Sequence, residues 1–218
     1  MTKFLALAVA GFVAVSVSQA SATTVSYTGN FGQTSTDFNQ TFTVQGFDPL
    51  PGTLTGVSLQ LNSNGTVGGS VTSTNTQPSD FTVNTTTTVT VKTAGINQIS
   101  TPFSLNLLGS QSYTQVPQNV AQSYGPFSPS AGPAFATGNT TFFTSSGLVN
   151  LLASTSSGYG VQGGGNNVTA VITSKAGGTV GVTYTYTVPP PVTVPEPASM
   201  ALLGMGLAGL GLIRRRRA

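Results

Sequence analysis

The sequence predicts an all-β fold, a single antiparallel β-sandwich of the jelly-roll or immunoglobulin-like type. The part between the two ends is rich in Thr, Ser, Asn, Gln, Gly and Val, and only 5% of the chain is charged. Because β-branched side chains sit well on a pleated surface, this composition favours strands. Several stretches alternate apolar and polar residues, and none between the ends shows a helical period. Turn residues at short intervals favour antiparallel pairing.

The first clear strand is predicted over residues 53–62. Leu54 is out of phase with Val57 and with the alternating leucines that follow it. Since one extra residue in a strand shifts the alternation in this way, the pattern predicts a β-bulge near Gly56.

A long strand is predicted over residues 80–92, where apolar residues at both ends share one parity. Its middle is different, because Thr85 and Thr87 occupy the same parity and make this part polar on both faces. Two more alternating strands are predicted over residues 103–107 and 180–188, and the second is the clearest in the sequence.

Two glycine-containing pairs predict tight turns. Asn64-Gly65 and Gly177-Gly178 can both supply the positive φ values of a two-residue hairpin. Each pair is therefore predicted to join two strands. The strands would be residues 57–61 and 67–71 for the first turn, and residues 168–172 and 180–188 for the second.

Two other stretches are predicted to be long loops rather than domain boundaries. Residues 113–138 contain four prolines with scattered aromatic residues, and residues 158–167 are rich in glycine. Residues 23–188 are therefore predicted to be one domain, which is long enough to bury a core without disulfides. The chain has no cysteine, so this fold must rest on packing alone.

Residues 1–22 are predicted to be a secretory signal peptide. Lys3 precedes an apolar stretch of residues 4–17, and Ala20-Ser21-Ala22 offers the small residues that signal peptidase accepts. Cleavage is predicted after Ala22, with Ala20 as the second choice. An uncleaved anchor is the alternative, and the chain is exported in either case.

Residues 189–197 are predicted to be a proline-rich spacer in an extended, fairly stiff polyproline II conformation. The spacer ends in Pro195-Glu196-Pro197. Because proline fixes its own φ and disfavours helix at the residue before it, Glu196 should be extended and exposed.

Residues 198–218 are predicted to be a transmembrane tail. The uncharged run over residues 198–213 would reach about 24 Å as a helix. That is short for a hydrocarbon core of about 30 Å, so crossing would need local thinning of the bilayer. A buried helix with a basic end is the alternative, but the glycines of this run suit a membrane segment better. The basic end, which favours the cytoplasmic side, consists of Arg214, Arg215, Arg216 and Arg217.

The triplet, the apolar run and the arginine cluster occur in the order found in the PEP-CTERM sorting signal of bacterial exported proteins, and the tail resembles that signal. The resemblance implies that Pro195, Glu196 and Pro197 are recognised by a membrane-embedded exosortase, which removes the tail. It also implies that the arginines are the retained cytoplasmic stop. Signal peptidase and exosortase are thus the expected processing partners. The body would be held transiently at the membrane and would then reach the cell surface or extracellular matrix.

A second resemblance lies at residues 47–57, where Phe47-Asp48-Pro49 leads into Gly52-Thr53-Leu54. This stretch resembles the opening of the choice-of-anchor E domain, a surface module of exported proteins with no established activity. The same residues also predict a turn. The Asp48 carboxylate can accept hydrogen bonds from nearby backbone N–H groups, and Gly52 permits the bend, so a structural role for Asp48 is favoured over a binding role.

The net charge of +3 is misleading as a sign of nucleic-acid binding, because the arginines at the C-terminal end dominate it. The predicted body contains two lysines against three aspartates and therefore carries a net charge of −1. Nucleic acid is not an expected partner.

The composition argues against an enzyme. The chain has no histidine and no cysteine, and its one glutamate lies in the sorting triplet. A serine nucleophile would need a lysine or an N-terminal amine as its base. Lys92 and Lys175 have no catalytic signature around them, and solvated lysines are the favoured interpretation. A pair of catalytic carboxylates would have to come from Asp37, Asp48 and Asp80.

No cofactor and no metal are expected. Zinc usually needs imidazole or thiolate ligands, which the chain lacks. A structural calcium ion held by aspartate and backbone or asparagine oxygens is left open as an alternative, although no EF-hand loop is present.

Two functions remain. The first is a structural or adhesive surface protein, and the second is a carbohydrate-binding module that recognises exopolysaccharide. The second needs exposed aromatic rings, for which the candidates are Tyr113, Tyr124, Phe127 and Tyr159, and the absence of Trp counts against it. The Tyr184 and Tyr186 pair is expected to pack in the core. Burial of Tyr124 and Tyr159, or their placement on different faces, would favour the structural role.

Overall fold

A computed structural model describes residues 21–50, 52–94, 98–100, 103–190 and 204–210. Residues 22–188 form one compact unit. The second unit comprises residues 1–21 and 189–218, in which residues 204–210 are helical. Within the described ranges, no helix has the length and apolar character needed to cross a bilayer.

The compact unit consists almost entirely of strands, as the composition predicts. Its described residues include one helical turn, α1 (Thr140–Phe143), and one 3-10 turn (Gly164–Asn166). The strands are β1 (Ser21–Ser35), β2 (Asn39–Gln45), β3 (Thr53–Ser73), β4 (Ser79–Thr93), β5 (Ser104–Val116), β6 (Ala121–Phe127), β7 (Ser130–Thr137), β8 (Leu148–Gly163) and β9 (Val168–Val188).

The strands form two sheets. The first sheet has the order β1-β9-β3, with β6 and β7 both pairing with the far side of β3, and the second has the order β2-β8-β4-β5. The β3–β9 and β4–β8 pairs at the centres of the sheets are antiparallel. Leu59 and Val180 from the first sheet are buried in one apolar cluster with Leu151 from the second. The predicted all-β, antiparallel architecture is confirmed, and the two sheets are arranged as in a β-sandwich.

The described residues form two apolar clusters in the interior rather than one. β4 contributes Val89 and Val91 to the larger cluster, and Phe81 and Val83 to the smaller one. Its register explains the division, because two buried threonines lie between these pairs. The long strand with a polar middle is thus confirmed, and its middle lies between the two clusters.

We call the buried polar groups in this region the polar belt, and it comprises Ser63, Thr85, Thr87 and the Tyr124 hydroxyl. Thr85 Oγ1 lies 2.9 Å from the Tyr124 hydroxyl oxygen, and Ser63 Oγ donates to the Gly177 carbonyl at 2.8 Å. Thr87 Oγ1 is buried and has no hydrogen-bond partner in the described part of the chain. Most of the belt is therefore satisfied, with one unpaired hydroxyl.

The two predicted hairpin turns are wrong. β3 and β9 run without a break through Asn64-Gly65 and Gly177-Gly178, and Asn64 lies opposite Gly177 in the ladder between them. A Cβ on Gly65 would lie 2.5 Å from the Lys175 carbonyl oxygen, and one on Gly177 would lie 2.7 Å from the Gln33 nitrogen. These glycines allow neighbouring strands to approach closely, which is the other use of glycine in a strand.

The bulge prediction is confirmed. The register between β3 and β9 shifts between Leu54 and Gly56, which returns Val57 to the buried face.

The two predicted long loops are also wrong. Residues 113–138 contain the end of β5 together with β6 and β7, and Pro126 and Pro133 lie within the latter two strands. Among the described strands, β6 and β7 each pair with β3 alone, and proline is tolerated on such edge strands. Residues 158–163 continue β8, paired with β4 as far as Gly163, so only the following 3-10 turn is irregular.

Candidate functional site

The three tyrosines predicted as possible glycan contacts differ in their exposure to solvent. Tyr113 and Tyr124 are 8% and 1% exposed, whereas Tyr159 is 53% exposed. The Tyr113 hydroxyl donates to the Ser123 carbonyl at 2.9 Å, and the Tyr124 hydroxyl is bonded to Thr85. A ring that stacks on a sugar must have a free face, so Tyr113 and Tyr124 are corrected from candidate glycan contacts to core residues.

The other tyrosine pair packs in the core as expected. Tyr184 is fully buried and donates to the Gln45 carbonyl at 2.8 Å, and the Tyr186 ring centroid lies 5.1 Å from that of Phe47. Burial, and secondarily the nearby Tyr27, raises the pKa of Tyr184. Burial also raises the pKa of Tyr113, with a smaller contribution from Tyr124.

Tyr159 borders a shallow polar depression of about 360 Å³ on the second sheet. Gly158 and Gly160 lie opposite Thr86 and Asn84 in the β4–β8 ladder. These glycines have no side chains, and no atom lies within 4 Å of the position that a Cβ would occupy on either. The protein surface is therefore recessed at this point. The depression offers hydroxyl and amide groups beside one exposed ring. It is lined by Asn84, Thr86, Thr88, Ser156, Ser157, Gly158, Tyr159 and Gly160.

The sequence singles out Tyr159 but not its neighbours in this depression. Asn84, Thr86 and Thr88 belong to the predicted strand over residues 80–92, whose outward residues could be identified by parity. Their position beside Tyr159 depends on the register between β4 and β8, strands about 70 residues apart in sequence. A local pattern does not encode that register.

The carboxylate of each of the three aspartates accepts a hydrogen bond from a different backbone N–H group. Asp37 Oδ1 accepts from the Ser157 N–H at 2.9 Å, Asp48 Oδ1 from the Leu50 N–H at 3.0 Å, and Asp80 Oδ1 from the Gln115 N–H at 2.6 Å. Among the described residues, no group of three or more acidic side chains could hold a metal ion. The carboxylates therefore act as structural acceptors in three separate places. Lys92 and Lys175 are exposed on β4 and β9.

The turn predicted around Asp48 is confirmed. Besides the Asp48–Leu50 bond, the Gly52 N–H donates to the Pro49 carbonyl at 3.1 Å, and β3 begins at the next residue. Phe47 is 1% exposed and anchors the turn on the core. The resemblance of this stretch to the choice-of-anchor E domain stays a prediction.

The predicted processing residues lie mostly outside the described residues. Ala22 is an exposed residue near the start of β1. Those outside the described ranges are Ala20, Pro195, Glu196, Pro197, Arg214, Arg215, Arg216 and Arg217.

Comparison with protein families decides what the tail is. Residues 193–217 match the PEP-CTERM protein-sorting motif. The match contains the predicted triplet Pro195-Glu196-Pro197 and all four arginines. The PEP-CTERM motif indicates an exported protein that is anchored transiently in the membrane and processed by an exosortase. No curated protein matches the chain. The match covers the tail alone, so the role of the sandwich has to be argued from its own residues.

Proposed function

We propose that this protein is a structural or adhesive component of the bacterial cell surface or extracellular matrix. An exosortase acting on its PEP-CTERM tail delivers it there. The observation that carries the proposal is the motif match over residues 193–217.

The side-chain chemistry of the sandwich supports the non-catalytic role that we propose. Imidazole and thiol groups are absent from the sequence, and the three aspartates are engaged in separate local hydrogen bonds. The chemistry that remains on the surface is mostly hydroxyl and amide. Such a surface suits hydration and weak polar contacts better than acid–base or nucleophilic catalysis.

The sorting proposal is tested by Glu196→Gln and by deletion of residues 214–217, expressed in the native host. Export and signal-peptide removal should be unaffected, whereas the uncut, larger form should accumulate in the membrane fraction. Asp48→Asn is the matched control, because it makes the same charge change within the body. Immunoblots of cell fractions measure both size and location, and a mature product of unchanged size and location in the two tail variants would overturn the proposal.

A second candidate function, binding of exopolysaccharide, is supported by the depression beside Tyr159. The half-exposed ring could stack on a sugar face, and the hydroxyl and amide groups around it could bond to sugar hydroxyls.

Glycan-array and exopolysaccharide binding by the exported protein tests this candidate. Tyr159→Ala should weaken binding about tenfold, since loss of one stacked ring costs roughly 1 kcal/mol or more. Val171→Ala is the control, because Val171 is also exposed and apolar but lies on the other sheet. Equal binding by wild type and Tyr159→Ala would exclude Tyr159 as a contact.

A further inference from the structure

Phe135 is an exposed aromatic residue on the outer face of the first sheet. It belongs to β7, is 65% exposed, and pairs with Gln60 of β3, which is also exposed. Paired residues of an antiparallel ladder direct their side chains to the same face. Leu59 and Leu61, on either side of Gln60, are buried, so Gln60 and Phe135 point away from the core. This face therefore presents an aromatic ring beside an amide group.

Gln60 is the first of three amide side chains that we call the amide row. Asn62 and Asn64 are the next residues of β3 that point outward, and all three are exposed. Alternate residues of a strand lie about 6.8 Å apart, so the row is roughly 14 Å long. Within the described residues, none of the three amide groups has a hydrogen-bond partner. Each amide is therefore free to donate to a ligand and to accept from it.

A depression of about 370 Å³ lies along the amide row. Asn62 and Asn64 line it together with Ser130 of β7 and Thr179 of β9. Gly132 also lines it, and leaves space there because it has no side chain. The described residues that line the depression carry hydroxyl, amide and aliphatic groups and no charge. It thus offers neutral hydrogen-bonding groups next to the exposed ring.

The groups that line the depression beside Tyr159 are engaged to a greater extent. The Ser110 hydroxyl donates to Asn84 Oδ1 at 2.7 Å, and the Thr88 hydroxyl donates to Asn106 Oδ1 at 2.9 Å. A ligand at that depression would have to compete with these cross-strand bonds. The amide row imposes no such cost, and so it is the better prepared of the two polar surfaces.

The surroundings of the amide row favour a sugar over a peptide. At both Gln60 and Asn64, β3 is paired with β7 on one side and with β9 on the other, so its backbone has no free edge for an added strand. A protein partner is usually held by several buried apolar anchors. A sugar unit instead has an apolar ring face that can stack on Phe135, and hydroxyl groups that can both donate to amides and accept from them.

The charge on this face specifies the ligand further. Lys175 lies opposite Thr66, one outward position beyond Asn64, and is therefore past the end of the amide row. Along the row itself, an anionic sugar would find no cation to pair with its carboxylate or phosphate. The surface is thus suited to uncharged sugar units.

We propose that Phe135 and the amide row bind an uncharged polysaccharide. One sugar unit stacks on the Phe135 ring, and the next unit lies in the depression and hydrogen-bonds to Asn62 and Asn64. The inference gives the adhesive role proposed above its ligand, and it rests on that role for its setting, the cell surface or matrix. The site is separate from the depression beside Tyr159, which lies on the second sheet.

Affinity electrophoresis of the protein, as exported by its native host, tests this site. The probes in the gel are a neutral glucan, a neutral mannan and the neutral fraction of the host's exopolysaccharide. At least one of them should retard the wild type. Phe135→Ala should weaken that binding about tenfold, the loss expected for one stacked ring. Leu108→Ala is the matched control, because Leu108 is exposed to a similar extent but lies on the second sheet.

A second pair of variants tests the amide row. Asn62→Asp keeps the size of an exposed side chain but removes its donors, so the fold should survive and binding should weaken about fivefold. Asn150→Asp is the matched control, because it makes the same change at an exposed position on the second sheet. Circular dichroism of each variant measures whether the fold is kept.

Three results would overturn the proposal. The first is a wild type that none of the probes retards, or binding that neither Phe135→Ala nor Asn62→Asp weakens. The second is loss of binding in Tyr159→Ala alone, which would assign the polysaccharide to the other depression. The third is loss of binding in Lys175→Gln or at raised salt, which would show an anionic ligand. None of these results alters the processing or location of the protein, so the sorting proposal is tested separately.

Discussion

Tyr124 connects the two sheets, because its ring lies on β6 in one sheet and its hydroxyl oxygen lies 2.9 Å from Thr85 Oγ1 on β4 in the other. Both residues are almost fully buried. This contact satisfies two hydroxyl groups in an apolar setting, where an unpaired one would be costly.

Thr85→Val is expected to lower the free energy of unfolding by about 1–3 kcal/mol, since it leaves the Tyr124 hydroxyl buried without its partner. Urea unfolding measures the change. Tyr124→Phe and the double variant complete a cycle, in which the double variant should cost less than the sum of the two single changes. Strict additivity would show that the two hydroxyls do not stabilise each other.

Thr87→Val is expected to change the free energy of unfolding in the opposite direction. Its Oγ1 is buried without a partner within the described residues, so replacing the hydroxyl by a methyl group should raise the free energy of unfolding by about 1 kcal/mol. Thr85→Val is the matched control, because it is the same substitution two residues away on the same face. If both variants lose stability equally, Thr87 has a partner in solution.

Gly65→Ala and Gly177→Ala are expected to destabilise the sandwich by about 1–3 kcal/mol each, because the new Cβ meets the backbone of an adjacent strand. Gly158→Ala is the control, since nothing lies within 4 Å of its Cβ position. Thermal unfolding followed by circular dichroism distinguishes the two groups. Tolerance of alanine at both Gly65 and Gly177 would mean that the strands are not so closely packed there.

Stability is expected to fall above about pH 10. Tyrosine in an unfolded chain has a pKa near 10, whereas burial raises the pKa values of Tyr113 and Tyr184 in the folded protein. Between the unfolded and folded pKa values the unfolded state loses a proton that the folded state keeps, so the free energy of unfolding decreases as pH rises. Urea midpoints measured from about pH 8 upward test this. Tyr184→Phe should flatten the dependence, since it removes one of the two buried phenols whose pKa is raised.

The features predicted correctly are those that a few consecutive residues determine. The alternation over residues 80–92 identified β4 and its polar middle, and the phase change after Leu54 identified the bulge. The hairpin turns predicted at Asn64-Gly65 and Gly177-Gly178 are wrong because glycine has two uses in such a sequence. It can form a tight turn, or it can allow a neighbouring strand to approach closely. Only the β3–β9 register, which joins residues more than a hundred positions apart, distinguishes them. The sequence likewise could not show that Tyr124 is buried and Tyr159 exposed. Their burial depends on how strands distant in sequence pair and pack, which a local pattern does not encode.

The register of β9 distinguishes the two ends of the sandwich, which we call the base and the tip. Its last residues lie beside the start of β1, so the chain enters and leaves at the base, while the connections at residues 74–78, 117–120 and 164–167 lie at the tip. Asn75, Gln118 and Asn167 hydrogen-bond these connections to one another. At roughly 3.3 Å per residue, the 21 residues of β9 separate base from tip by roughly 65 Å. If the sandwich is attached through Ser21 or Val188, its hydrogen-bonded polar tip therefore lies roughly 65 Å from the point of attachment.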